Sequence, residues 1–171
     1  PINVKTAEPF TVLSAMIITA AEQQTMNYYM NVATFAKTEL ARRLYQEIAL
    51  VEEEHVTQYE SLNDPNATWL EMLLCHEYAE CYLYYSCYMT ESDEYLKSLW
   101  EENLAFEIGH LHAAKEMLQK YENKDWRQVL KNGDFPEPLS LHENIDYVRG
   151  ILSSTVQYTS VREEYKNVDE L

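Results

Sequence analysis

Two short motifs place chemistry-bearing residues at helical spacing. Glu52-Glu53-Glu54-His55 and Glu107-Ile108-Gly109-His110 each set a carboxylate three residues before an imidazole. In an α-helix, residues i and i+3 lie on one face a turn apart, so both side chains reach one point beside the helix. Carboxylate oxygen and neutral imidazole nitrogen together are ligands for divalent iron or manganese. A single match means little, because so acidic a chain yields about one Glu three before a His by chance. The run Glu52-Glu53-Glu54 also reads as a solvated face for two of its members.

The arrangement of the two motifs carries the argument. Displaced by 55 positions, the sequence lies on itself. Glu52 falls on Glu107, His55 on His110, and Glu22 on Glu77. Tyr29 falls on Tyr84, Glu39 on Glu94, Leu44 on Leu99 and Glu47 on Glu102. The chain reads as two related helix hairpins, each with one glutamate on its first helix and a Glu-x-x-His pair on its second. Four glutamates converging in a core would repel as bare anions and lose hydration. Two divalent ions remove both costs, with carboxylates bridging and each imidazole terminating one ion.

This pattern resembles the ferritin-like di-metal carboxylate proteins, whose ligands run Glu, Glu-x-x-His, Glu, Glu-x-x-His on successive helices. The resemblance covers roughly residues 9–122. It implies that Glu52 and Glu107 bridge two metals, Fe with Mn as the alternative. It implies that Glu22 and Glu77 are terminal ligands, with His55 and His110 one on each metal. Glu80, three residues after Glu77, looks like the extra carboxylate of the rubrerythrin branch. That likeness makes Glu80 a seventh ligand that exchanges with His55 as the metal changes redox state. The plainer reading leaves Glu80 at a solvated rim, and the matching position in the first half is Thr25. Rubrerythrins usually carry paired Cys-x-x-Cys motifs in a rubredoxin domain. This chain has none, so its electrons are expected from a separate donor protein or small reductant.

The elements that must position these residues are helices. Only three glycines and five prolines interrupt 171 residues, and helix formers dominate. The expectation is all-α: a ferritin-like four-helix bundle with an additional C-terminal helix. Pro9 starts a helix running to about Ala36, and Thr38 caps one running to about Leu62. Asn63-Asp64-Pro65-Asn66 breaks the pattern. A third helix spans about Thr68 to Met89, and a fourth starts near Ser92 or Asp93 and ends about Tyr121. A short helix is expected at Trp126–Leu130, then an amphipathic one from about His142 to Tyr165. Residues 1–122 are expected to form the bundle. Residues 123–171 are expected to form an extension that packs on it or at an oligomer interface.

The link between hairpins is short. Leu62 to Ala67, fully extended, spans roughly 20–23 Å. A ferritin-like crossover must return roughly 20 Å along the helices. The crossover is just attainable and taut; the alternatives are a plain up-and-down bundle or exchange of hairpins between subunits.

Several neighbours of the motifs are weighed beside them. Tyr29 and Tyr84 each follow a terminal glutamate by two turns, either bonded to a ligand or filling the core. Cys81 faces the site side as a small buried residue. Cys75, Cys81 and Cys87 read as reduced core thiols and point to a reducing cytoplasm. His76, His112 and His142 lack a partner glutamate and are expected at the surface.

A net charge of −16 argues against nucleic acid and against an anionic membrane surface. No basic-then-apolar leader opens the sequence, and no run has the length of a membrane span. The functional expectation is a non-haem di-iron oxidoreductase. It would reduce hydrogen peroxide, or dioxygen, with electrons from an outside donor, as a cytoplasmic homodimer with Glu80 acting in catalysis. The competing expectations are iron storage in a shell assembly, a di-manganese catalase relative, and a structural metal clip.

Overall fold

The computed structural model describes residues 1–3, 6–131, 133–140 and 142–159, without the side chains of 152 and 155–159. Among them it is all-helical: α1 (Pro9–Phe35), α2 (Glu39–Glu60), α3 (Trp69–Thr90), α4 (Glu94–Glu122) and α5 (Ile145–Thr159), with a 3-10 turn at Trp126–Gln128. The expected α5 ran from His142 to Tyr165. It starts three residues later, and its last six expected positions lie outside the described residues.

The ends of these helices follow local chemistry. Pro9 occupies the first turn of α1, where its missing N–H costs nothing. The Thr38 hydroxyl accepts the Ala41 N–H at 3.1 Å and starts α2. The Asp93 carboxylate accepts the N–H groups of Tyr95 and Leu96 at 2.9 and 3.0 Å and starts α4. Thr68 and Glu71 form a reciprocal capping box at the head of α3. Asn123 ends α4 in the left-handed region, φ 51°, a conformation its short polar side chain tolerates.

The 55-residue offset reappears in three dimensions. α1 ends at Phe35 and α3 at Thr90; α2 begins at Glu39 and α4 at Glu94. Ala36 and Glu91, at equivalent positions, both leave the helix in extended backbone. Each half is therefore an antiparallel hairpin closed by an equivalent three-residue turn. Equivalent aromatic pairs sit near each turn: Tyr29 on Tyr45 at 6.0 Å and Tyr84 on Trp100 at 6.1 Å between ring centres.

α1 packs along α2, and α3 along α4. Between hairpins the contact runs from α1 to α3. Leu13 is buried with Tyr78, Ala79 and Tyr82, and Met16 packs against the cluster of Leu74, Cys75, Ala114, Leu118 and Val129. Leu13, Leu74 and Leu118, fully buried, each contribute roughly 1.5–3 kcal/mol.

The segment after α4 folds back over α3. The Tyr78 hydroxyl donates to the Asp134 carbonyl at 2.6 Å, and the Tyr82 hydroxyl to the Glu137 carbonyl at 2.7 Å. The Phe135 ring lies against Tyr78, Tyr82 and Tyr85. The Leu139 N–H donates to the Ser86 hydroxyl at 3.0 Å. The compact unit holding both hairpins accordingly runs from Pro1 to Leu139. The boundary expected at 122 thus falls inside it, because the strap's partners are tyrosines about 55 residues upstream. Ser140 onward forms a separate unit that contains α5. No helix among the described residues is long and apolar enough to cross a membrane.

Candidate metal centre

α1 and α2 bring Glu22, Glu52 and His55 together. The His55 Nδ1 lies 3.1 Å from Glu52 Oε2 and 3.3 Å from Glu22 Oε2. α3 and α4 bring Glu77, Glu107 and His110 together in the same way, with His110 Nδ1 3.1 Å from Glu107 and 3.9 Å from Glu77. In each triad one ligand atom per residue lies within 4.8 Å of the others, the spacing of a cation site. Six of the seven expected ligands fall in these two groups, and Glu80 is the exception.

Local folding selects these members from their neighbours. Of three consecutive glutamates on α2, Glu53 and Glu54 face solvent, while the Glu52 side chain turns into the hairpin seam. The carboxylates of Glu52, Glu77 and Glu107 are mostly covered, whereas the His55 and His110 rings stay substantially open.

The electrostatics of the triads disfavour further negative charge and favour positive charge. Hydrogen bonding to Glu52, burial and the Glu52 charge raise the Glu22 pKa against the opposing effect of His55. Burial works against a charge on His55, but its bonds to Glu52 and Glu22 outweigh that, and its pKa is raised. Burial is the largest cause of the raised Glu77 pKa, with Glu107 adding to it. A divalent ion held by these groups would offset the burial and carboxylate repulsion that raise the two glutamates. Two carboxylates and one imidazole per triad are a fitting donor set for iron or manganese.

Glu80 is half-buried and belongs to neither triad. It stands close to the second one nonetheless. Burial pushes the Cys81 thiol up to about 12, and the charges of Glu107, Glu77 and Glu80 add to the shift. Burial likewise raises the Tyr84 phenol, with Glu80 and Glu107 contributing. The second triad is thus backed by a sealed thiol and a tyrosine that share its electric field. The first half has Met26 and Tyr29 at those positions. The aromatic partners Tyr45 and Trp100 were missed in the sequence reading, although they too match at an offset of 55.

His76, His112 and His142 are exposed, as expected for histidines outside the triads. Cys75, Cys81 and Cys87 are free, the first two buried. Comparison with family models, curated proteins and solved structures gives no match to this chain.

Proposed function

We propose that the chain is a ferritin-like di-metal carboxylate protein in which the two triads join into one six-ligand centre. The carrying observation is their equivalence: the same three residue types, at the same hairpin positions, with the same Glu–His distance of 3.1 Å. Glu52 and Glu107 would bridge two iron ions, or manganese ions, with Glu22 and Glu77 as terminal carboxylates. The Nδ1 atoms of His55 and His110 face the carboxylates and would each take one ion. The joined arrangement is a four-helix bundle made of α1–α4, with α5 as an addition.

The activity that suits this set is rubrerythrin-like reduction of hydrogen peroxide. One peroxide, two protons and two electrons become two waters, with the electrons drawn from an external donor protein or small reductant. Bound metal ions would supply the electron transfer and the Lewis acidity. The chain's own contribution is to hold four carboxylates in covered positions and to keep both imidazoles oriented by their glutamates. Glu80 adds a carboxylate beside the second triad, able to offset a change of charge there. Cys81, with its thiol held protonated, keeps a redox-active sulfur out of the reaction.

The test is metal analysis joined to anaerobic peroxide turnover. Two Fe or Mn per chain and donor-dependent peroxide consumption are expected. A protein that takes up neither metal in stoichiometric amount sinks the reading.

A further inference from the structure

We propose that the two triads join between chains: the α1–α2 hairpin of one copy closes on the α3–α4 hairpin of a second copy. This rests on the six-ligand reading above and says where its second half comes from.

Three observations carry it. The first is the level of contact. α1 meets α3 through Leu13 and Met16, six to nine residues before Glu22, while α3 answers from Leu74 to Tyr82, around Glu77. Along a helix that offset is roughly 9–14 Å. Within one chain Glu77 therefore stands level with the start of α1 and not with Glu22.

The second is the link. It is folded into turns and is not extended. The N–H groups of Ser61, Leu62 and Asn63 continue the end of α2 by bonding to Thr57, Tyr59 and Glu60, and Ala67 N–H bonds to Asp64. Asp64 also accepts the Asn66 N–H at 2.9 Å, and Ile2 N–H donates to Leu62. The far end is fastened as well, since the Thr68 hydroxyl donates to Glu122 at 2.8 Å. A ferritin-like crossover needs nearly the full reach of this segment, so closing the site within one chain would break these bonds.

The third is what lies beside the histidines. Leu44, Ile48, Val51 and His55 form one stripe along α2; Leu99, Asn103, Phe106 and His110 form the matching stripe along α4. Leu44, Val51, Leu99 and Phe106 are 54, 48, 38 and 59% exposed. These two stripes occupy equivalent hairpin positions, and each ends on the open histidine of a three-ligand half-site. A second copy of this chain carries the complement of both at once. Its Glu77, Glu107 and His110 would complete the first triad, and its Glu22, Glu52 and His55 the second, giving two centres per pair of chains.

Complementation tests this without any activity. One full-length variant carries Glu22→Gln and Glu52→Gln, the other Glu77→Gln and Glu107→Gln, with different affinity tags. Circular dichroism checks that each stays helical. The doubly tagged heterodimer has one intact centre and one wholly damaged one. It is expected to hold about half the Fe or Mn of the wild-type pair, well above either variant alone. Metal content no higher than the mean of the two variants overturns the exchange. If wild type itself holds no metal, the six-ligand reading fails instead. A second measurement is independent of metal: Val51→Cys with Phe106→Cys in a Cys87→Ser background. Oxidation giving a covalent dimer supports the exchange, and a covalent bond within one chain overturns it.

Discussion

Glu52 and Glu107 occupy the same place in two copies of one hairpin, each 3.1 Å from the histidine a turn further on. If they bridge, neither belongs to one metal alone. Glu52→Gln should then lower metal content by more than one ion per chain, and so should Glu107→Gln. Glu22→Gln, which touches a terminal position, should cost at most one. Metal analysis after dialysis against a weak chelator measures this. Loss of one ion in all three variants would show two independent mononuclear sites.

Glu80→Ala separates binding from turnover. Its carboxylate lies outside both triads yet acts on Tyr84 and Cys81. Two metals should remain bound, while peroxide consumption should fall about tenfold or more. Equal turnover in variant and wild type would remove the rubrerythrin-like role of this residue and leave the centre intact.

Metal uptake should release protons. The pKa values of Glu22, His55 and Glu77 are all raised, so protons compete more strongly with a cation at these groups than at free ones. Affinity should therefore weaken as pH falls, beginning at a higher pH than unperturbed carboxylates and imidazole would set. Titration calorimetry in buffers of different ionisation enthalpy would count the protons displaced. A heat independent of buffer would contradict the site's electrostatics.

The buried thiols give an alkaline limit. Cys75 and Cys81 are both pushed up to about 12 from an ordinary value near 9.0, with burial the main cause. The unfolded chain loses those protons first. The stabilising effect is therefore whole below about pH 9 and declines as pH rises towards 12, by on the order of 1 kcal/mol per thiol per unit. Chemical denaturation at pH 8 and pH 10 would show it. A thiol reagent at pH 8 should modify only Cys87 in the folded protein.

Lys124 fastens the head of α3 to the foot of α4. Its ammonium donates to Glu71 at 2.6 Å and to Glu122 at 3.3 Å, and Glu71 is a buried acid. Lys124→Met should destabilise the fold by about 1–3 kcal/mol, because it takes a charged partner from a covered carboxylate. An unchanged midpoint in urea would show that other partners of Glu71 suffice.

Helix ends and the six members of the two triads were legible in the sequence because both are local. A cap needs three residues, and a Glu-x-x-His pair needs one turn. The internal offset then joined distant turns without any tertiary information. What stayed hidden depends on separations of about fifty residues. Tyr78 and Tyr82 gave no sign that their hydroxyls meet Asp134 and Glu137, and Lys124 gave none that it reaches Glu71. The conformation of 61–67 was also out of reach. Its turn-forming residues showed that the helix breaks there, but not that the hydrogen bonds keep the segment short. Whether the triads meet within a chain depends on that length.

The strap over α3 sets the outer faces of the two hairpins apart. At the positions of Tyr78, Ala79 and Tyr82, the first half carries Gln23, Gln24 and Asn27, all facing solvent. Only the hairpin beside the tail has an apolar back, while both carry a triad in the seam. The two outer faces differ according to which helix has a neighbour to lean on, so removing the strap would leave Tyr78 and Tyr82 as uncovered as their polar counterparts.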